Sequence, residues 1–215
     1  MKKEILRYLK LFVGIFICSF GTTIIINANL GLSPWDVFHQ GLTNIFPVTL
    51  GQASILAGIV IITIDIFLGQ KLGVGTIINM VFYGIFLDVI SSLKIIPTSN
   101  VIFTGILMMI IGLFIFSYGC YLYISSGLGC GPRDALMVAL TQRTKLSVKF
   151  IRNILEMSAL TVGYFLGGYT GVGTLAATLL TGIIIQTTFR MVNFNVSSVE
   201  HRSLKDEFNM IKRKI

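Results

Sequence analysis

The sequence has few of the residues on which catalysis and metal binding usually depend. Charged side chains make up 12% of the 215 residues, against roughly a quarter in an ordinary soluble domain. The two histidines, His39 and His201, lie far apart in the sequence, and we expect them to form neither a metal cluster nor a His-based triad. No glycine-rich nucleotide-binding loop occurs. We therefore expect no enzyme, no cofactor and no bound metal, and any use of ATP would require a partner.

Cysteine is also scarce. The three cysteines, Cys18, Cys120 and Cys130, have neither the paired spacing of a disulfide framework nor the spacing of a zinc site. We expect three free thiols.

Hydrophobic residues, in contrast, make up 54% of the chain, and the mean hydropathy is +0.85. These values are typical of a membrane protein. The net charge is +8, but most of the 17 basic residues are clustered: four in residues 1–10, four from Arg143 to Arg152 and six from Arg190 onward. This clustering excludes a basic nucleic-acid-binding face and indicates cytoplasmic loops and ends. We predict that both termini are cytoplasmic and that the lipid bilayer is the main partner.

The chain consists of two copies of one unit. A shift of 98 residues aligns residues 11–90 with residues 109–188 without a gap, and 22 positions are identical. Many of the identities are Gly, Pro, Asp and Thr, whereas chance similarity between hydrophobic stretches would give scattered Leu, Ile and Val. We predict membrane repeats at residues 1–98 and 99–192, followed by a basic cytoplasmic tail at residues 193–215.

Each repeat is predicted to contain three long helices and one short one. In order along the chain, the predicted helices cover about Tyr8–Ala28, Pro34–Phe46, Leu50–Leu68 and Val74–Ile90 in the first repeat, and about Val101–Ser125, Pro132–Arg143, Val148–Leu166 and Val172–Met191 in the second. The long helices can cross a hydrocarbon core of about 30 Å. The short one, of about 12 residues, is roughly 18 Å long.

The short helix determines the symmetry, and it leaves two arrangements open. If it only dips into the membrane, each repeat has three spans, the protein has six, and the repeats are inverted. If it crosses, the protein has eight spans and parallel repeats. The shortness and polar start of this helix favour inversion, whereas the ungapped match between the copies favours the parallel arrangement. We therefore predict an all-α polytopic membrane protein with six to eight membrane helices and inverted repeats.

The start of the short helix carries the most specific motif. Pro34 and Pro132 suit a first helical position, and Asp36 and Asp134 fall in the first turn, at the positive end of the helix dipole. One interpretation is that the two carboxylates only cap their helices. The other is functional, because an ionisable group inside a membrane is costly and helix ends at the midplane form the binding site in many duplicated transporters.

The approach to each short helix is rich in glycine. Gly31 in the first repeat and Gly129 and Gly131 in the second permit an irregular backbone there. Within a membrane, such a backbone is tolerated only when it lines a cavity or is buried in protein.

The two copies differ at this motif, as an asymmetric binding site would require. Trp35 is replaced by Arg133 and His39 by Met137. Arg133 is a candidate to neutralise Asp36 or Asp134, or to bind an anionic group with two hydrogen bonds; alternatively, it extends to a cytoplasmic surface. For Trp35, a position at the membrane interface is an alternative to ligand stacking.

Glu156 is the most notable polar residue inside a predicted span. It aligns with Gly58 of the first repeat, and Arg152 precedes it by one helical turn. A salt bridge along the helix is one interpretation, and proton coupling is the other. Asp65 and Asp88 lie near predicted span ends, where solvation is easier, and we expect both to be structural.

These motifs carry a family resemblance. Leu30-Gly31-Leu-Ser-Pro34-Trp35-Asp36 and the later Gly73-Val-Gly-Thr76 are similar to the corresponding stretches of the bacterial YczE/YyaS/YitT-type integral membrane proteins, over about residues 8–192. The resemblance implies a multi-pass protein of the bacterial cell membrane. It implies no substrate, and the second copy departs from the tryptophan pattern at Arg133.

Three functions fit the sequence. The first is a small-solute transporter or facilitator with a central site between the repeats, for an anionic or zwitterionic solute, with Asp36, Asp134 or Glu156 coupling to a proton or cation. The second is a non-transporting accessory or regulatory subunit that binds a membrane partner or another copy of itself. The third is a substrate-capturing component of a partner-driven importer. A polar cavity that reaches Asp36 and Arg133 would favour the first, and a solid interior the second.

The tail contains spaced apolar residues among charges. They are Val199, Leu204, Phe208, Met210 and Ile211. An amphipathic helix on an anionic lipid surface and a loosely ordered tail both fit this pattern.

Overall fold

A computed structural model describes residues 2–70, 72–146, 148–195, 199 and 202–204. Eight α-helices and no strands lie within these residues. The helices are α1 (Lys2–Asn27), α2 (Pro34–Ile45), α3 (Leu50–Phe67), α4 (Val74–Ser92), α5 (Ile102–Ile124), α6 (Pro132–Thr144), α7 (Val148–Phe165) and α8 (Val172–Met191). The predicted all-α class is confirmed for this part of the chain.

The helix ends lie close to the predicted ones, with one clear exception. The first helix begins at Lys2 rather than near Tyr8. The prediction followed the apolar run, but Lys, Glu, Leu and Arg are good helix formers, so the helix continues beyond the apolar residues toward the terminus.

Five of the helices in the described part of the chain are long and apolar enough to cross a membrane. They are α1, α3, α4, α5 and α8. The sixth predicted span, α7, is not one of these five. It has the same length as α3, 18 residues, but it carries the charged residues Lys149, Arg152 and Glu156. The two short helices, α2 and α6, have 12 and 13 residues, so each is about 18–20 Å long.

Glycines hold α1 and α5 together at the centre of the bundle. A Cβ on Gly21 would lie 2.5 Å from the backbone nitrogen of Phe116, and a Cβ on Gly14 would lie 2.5 Å from that of Tyr123. Positions further along α1 therefore meet positions earlier in α5, so the two helices are antiparallel. Small residues at such a seam allow the backbones to approach closely.

The other helices pack around this central pair. α4 packs on α1, and α8 packs on α5. α3 lies antiparallel against α4, with Gly51 opposite Gly84 and Gly58 opposite Met80. α2 lies between α3 and α7, and α6 contacts the same two helices.

The short helices meet at their starts through side chains and end against different helices. Arg133, at the start of α6, lies over the ring of Trp35, at the start of α2. At its other end, α2 contacts the loop after α7, where the Asn44 side chain donates to the Gly167 carbonyl at 2.7 Å. The end of α6 instead contacts the end of α3, through the side chains of Gln70 and Gln142 at 3.1 Å.

Part of the tail is anchored to the helices. Arg202 donates two hydrogen bonds to the Glu4 carboxylate, at 2.8 and 3.0 Å, and its backbone nitrogen donates to the Gly127 carbonyl at 3.0 Å. The Leu204 nitrogen donates to the Leu72 carbonyl at 2.8 Å. Of the apolar residues predicted to form a surface helix, Phe208, Met210 and Ile211 lie outside the described residues, as does His201.

The α1–α5 seam yields a matched pair of stability predictions. Gly21→Ala places a methyl group 2.5 Å from backbone, and overpacking of this kind costs about 1–3 kcal/mol. Gly182→Ala in α8 meets nothing within 4 Å and, because Ala is the better helix former, should be neutral or stabilising by up to about 1 kcal/mol. Thermal unfolding of both variants in detergent tests this, and equal unfolding temperatures would contradict the seam.

Candidate functional site

Backbone hydrogen bonds join the loop before each short helix to the other repeat. The Leu30 carbonyl, in the loop before α2, accepts from the Gly173 nitrogen at 2.7 Å. The Leu128 carbonyl, in the loop before α6, accepts from the Gly75 nitrogen at 2.8 Å. The Leu-Gly loop of each repeat therefore pairs with the Gly-Val-Gly-Thr stretch of the other repeat. The sequence did not predict this pairing.

Glycine is required at this junction for two reasons. Gly31 and Gly129 have φ values of 124° and 138°, which residues with a side chain rarely adopt. A Cβ on Gly31 would also lie 2.6 Å from the Thr174 hydroxyl, and one on Gly129 would lie 2.7 Å from the Thr76 hydroxyl. The predicted irregular backbone is present, and it is buried in protein.

Proline begins each short helix, as predicted. Pro34 and Pro132 are the first residues of α2 and α6, after Ser33 and Gly131 at the cap positions. The Ser33 side chain does not cap the backbone; its hydroxyl donates to the Asp36 carboxylate. Asp36 faces the positive end of its helix dipole and is 3% exposed.

Arg133 reaches across from the second repeat to the start of α2. Its Nη2 atom lies 3.2 Å from Nε2 of His39, and its guanidinium lies 4.6 Å from the centroid of the Trp35 ring. The structure therefore brings together Trp35, Asp36, His39 and Arg133, which we call the central cluster. Its members come from both repeats.

The surroundings of Trp35 and Arg133 bear on the alternatives that the sequence left open. Trp35 is 9% exposed and packs with Ile61, Leu136 and Ala159. Arg133 points at His39 rather than away from the helices, and it forms no ion pair with Asp36 or Asp134 within the described part of the chain, although its charge attracts the Asp36 carboxylate. The reason is geometric, because α6 points Arg133 at the ring of His39.

The contact with Arg133 determines the tautomer of His39. A guanidinium only donates, so Nε2 accepts, and a neutral imidazole then carries its proton on Nδ1. Nδ1 faces Oδ1 of Asp36 at 3.7 Å, which is too long for a hydrogen bond. Both atoms are buried and lack a hydrogen-bond partner among the described residues. The central cluster thus has unused hydrogen-bonding capacity next to a charged group.

Asp134 has a different environment from Asp36. Its Oδ2 atom accepts a hydrogen bond of 3.0 Å from the Tyr123 hydroxyl, and its side chain is partly exposed. Gly131 lies beside this pair, close to the Asn79 amide oxygen. Asp134 is therefore adjacent to the central cluster but is held within its own repeat.

Glu156 lies between Arg152 and the central cluster. Arg133 and Arg152 both attract its carboxylate, and Asp134 and Asp36 repel it. Among the described residues it forms no ion pair with Arg152, so the salt bridge suggested by their spacing is absent. Glu156 is partly exposed.

Two further aspartates differ in environment. Asp88 accepts hydrogen bonds from the Thr49 hydroxyl and from the Gly51 nitrogen at 2.8 Å, so it joins α4 to the start of α3. The expected structural role fits these contacts. Asp65, for which we also expected a structural role, is fully buried although it lies near a span end, and its carboxylate oxygens have no hydrogen-bond partner among the described residues. Its position in the sequence does not reveal this burial, which depends on the neighbouring helices.

Two tyrosines that the sequence did not single out lie beside the predicted site. Tyr83 lies in the middle of α4, interacts electrostatically with Asp36 and Arg133, and bonds to the Thr22 hydroxyl at 2.9 Å. Tyr123 bonds to Asp134. A tyrosine in the middle of a span is a signal that could have identified Tyr83, because a buried phenol usually needs a hydrogen-bond partner.

No group of three or more His, Cys, Asp or Glu side chains that could hold a metal ion occurs in the described residues. All three cysteines are free, and the sulfurs of Cys18 and Cys120 lie 3.8 Å apart. Two surface grooves, of about 520 and 480 Å³, lie between α7 and α8 and between α5 and α8, and residues of the central cluster line neither groove.

Trp35 provides a direct test of the central cluster, because it is the single tryptophan of the chain. Arg133→Gln removes the cation from the ring face, so we expect a shifted emission maximum and stronger quenching by acrylamide. Arg143→Gln, at the exposed end of α6, should leave both unchanged. Identical spectra for wild type and Arg133→Gln would contradict the stacking.

The chain is similar to uncharacterized proteins of two bacteria. An uncharacterized membrane protein of Bacillus subtilis (strain 168), YczE, is 35% identical over 204 residues, covering 92% of this chain and 94% of the relative. An uncharacterized protein of Haemophilus influenzae is 32% identical over 176 residues, covering 82% of this chain and 80% of the relative. YyaS, an uncharacterized protein of Bacillus subtilis, is 24% identical over 202 residues, covering 92% and 99%. No solved structure matches the chain.

The expected resemblance to YczE-type and YyaS-type proteins is thus confirmed, and with it the membrane location. The profile of a family of unknown function, DUF6198, matches residues 5–190. This match covers every described helix except the first residues of α1 and the last residue of α8. The chain is a multi-pass helical membrane protein that belongs to the DUF6198 family.

Proposed function

We propose that the protein is a small-solute transporter or facilitator of the bacterial cell membrane and that the central cluster is its solute site. The observation that carries this proposal is a buried ionisable group, formed by Asp36, His39 and Arg133, that joins the two halves of the bundle. Ionisable residues inside a membrane are costly and are usually functional. A merely structural contact between the halves could be made by apolar side chains at lower cost.

The proposal includes an inverted topology. α1 and α5 align in the repeat and run antiparallel. Corresponding helices point in opposite directions only if each repeat crosses the membrane an odd number of times. We infer six spans, with α2 and α6 entering from opposite faces to mid-depth, so that their positive ends meet at the central cluster. This is the arrangement in which inverted repeats form a site near the midplane.

The charges around Arg133 favour a zwitterionic solute over a simple anion. The Glu156 carboxylate interacts electrostatically with Asp36, Asp134, Arg133 and Arg152, so this set contains three acidic and two basic groups. With all five ionised, the sum is −1. Arg133 uses one N–H group for His39 and has further N–H groups that could bind a solute carboxylate. A solute ammonium would be attracted by the carboxylates of the site.

The site is closed in this conformation: neither groove described above reaches the central cluster, so the polar cavity expected of a transporter is not open here, and the buried charges alone support the proposal. Asp36 and His39 are 3% and 1% exposed, and Trp35 covers one face of Arg133. Transport would therefore require an opening movement. In inverted-repeat transporters this is largely a movement of one helix bundle against the other around a fixed site.

Flux into reconstituted vesicles tests the proposal. A panel of zwitterionic solutes, with anionic and neutral analogues, should identify one that the wild type transports. Loss of a charged hydrogen bond costs about 1.5–3 kcal/mol, so Arg133→Ala should weaken transport roughly ten- to hundredfold. Asp36→Asn should also reduce flux, whereas Arg143→Ala serves as the control and should not. Unchanged flux in both cluster variants would reject the site, and no flux for any solute in the wild type would reject the function.

Single-cysteine labelling tests the inverted topology, in a background without the three native cysteines. Lys94→Cys should react with an impermeant maleimide from the outside, and Lys71→Cys, which lies outside the described residues, only from the cytoplasmic side. The parallel arrangement with eight spans requires the opposite result. Labelling of both positions from the same side would contradict either arrangement.

A further inference from the structure

The two halves of the bundle differ in one contact. In the first half, α3 packs tightly on α4: a Cβ on Gly84 would lie 2.7 Å from the Ile55 side chain, and a Cβ on Gly58 would lie 2.5 Å from that of Met80. In the second half, the corresponding helices α7 and α8 scarcely contact each other along their described length. Gly182, which aligns with Gly84, meets nothing within 4 Å. A cleft therefore separates α7 from α8.

The residues that align with the closed contact explain why this cleft does not close in the same way. Gly51 and Gly58, which allow α3 to approach α4, correspond in the repeat to Lys149 and Glu156. Backbone contact of the kind made by Gly51 and Gly84 requires a residue without a side chain. We therefore attribute the separation of α7 from α8 to Lys149 and Glu156, which replace the two glycines.

Polar residues replace three residues of the closed contact. Asn153 takes the place of Ile55, Thr178 that of Met80, and Gln186 that of Asp88, whose carboxylate holds α3. The Thr178 hydroxyl donates to the Thr174 carbonyl of its own helix, whereas Asn153 and Gln186 are exposed. Polar side chains within a span are unfavourable against lipid, so we expect water or a polar solute beside Asn153 and Gln186.

A groove opens at one end of the cleft. The groove of about 520 Å³ lies where the end of α7 meets the start of α8 and is lined by Leu160, Tyr164, Thr174 and Leu175, among others. Glu156 lies one turn of α7 from Leu160, and its counterpart in the closed half, Gly58, faces α4. The Glu156 carboxylate in turn is attracted by Arg133.

We propose that the cleft between α7 and α8 is the water-filled route by which the zwitterionic solute reaches the central cluster, with Glu156 as the first group to attract its ammonium. This inference rests on the proposed function. It assigns the opening to the second repeat alone, because only there do the aligned residues keep the two helices apart. The closed α3–α4 pair then serves as the fixed wall on the other side.

Adjacent positions on α8 provide matched variants. Gly182→Cys places a thiol in the cleft, and Ile183→Cys places one on the neighbouring surface, where Ile183 is 60% exposed. In vesicles containing the full chain without its native cysteines, a charged methanethiosulfonate reagent should modify Gly182→Cys and not Ile183→Cys, because the thiol must be in water to react. Absence of reaction at Gly182→Cys would overturn the water-filled route, and disulfide-linked dimers would identify a second copy as the occupant.

Bulky variants at the same positions test passage of the solute. Gly182→Trp should reduce flux to that of protein-free vesicles, and Ile183→Trp should leave it at the wild-type rate; unfolding temperature and elution volume in detergent should be unchanged in both. Wild-type flux in a folded Gly182→Trp variant would overturn the route while leaving the proposed function intact. Labelling at Gly182→Cys with no wild-type flux would reject the proposed function and with it the route.

Discussion

The hydrogen bonds of irregular backbone inside the bundle constrain the rest of the structure. The chain must leave helical geometry before each short helix, and a membrane interior has no water to satisfy the freed carbonyls. Leu30 and Leu128 meet this requirement by accepting from Gly173 and Gly75 of the opposite repeat. Because each half supplies the donor that the other needs, the two halves are mutually dependent. The positive φ of Gly31 and the absence of side chains at the contact follow from this arrangement.

This pairing also determines where the short helices begin. Both start at the contact between Trp35 and Arg133 and end against different helices, α2 near the end of α7 and α6 near the end of α3. Two positive helix ends then face a small volume, and an aspartate in each first turn compensates its own dipole. The asymmetric residues Trp35, His39 and Arg133 occupy the space between them and make it a chemically distinct site.

Where aligned residues differ between the two halves of the sequence, the contacts that they make in the structure also differ. Arg133 replaces a tryptophan and contacts that same tryptophan in the other repeat. Glu156 and Lys149 replace glycines, and the helix that carries them stands away from its neighbour. The aligned positions at which the two halves of the sequence differ are thus also positions at which their contacts differ. Under the proposed function, one half forms a fixed wall and the other provides access.

The sequence alone determined the helices, their order and, apart from the start of α1, their approximate lengths, because apolar runs, prolines and glycines act locally along the chain. It also identified Asp36, His39 and Arg133 as residues of interest, since an ionisable group in an apolar run stands out wherever it lies. It did not reveal which motif contacts which, that Arg133 bonds to His39 rather than to an aspartate, that Tyr123 binds Asp134, or that Asp65 is fully buried. Those contacts join residues distant in sequence, and only the packing of the helices in three dimensions brings them together.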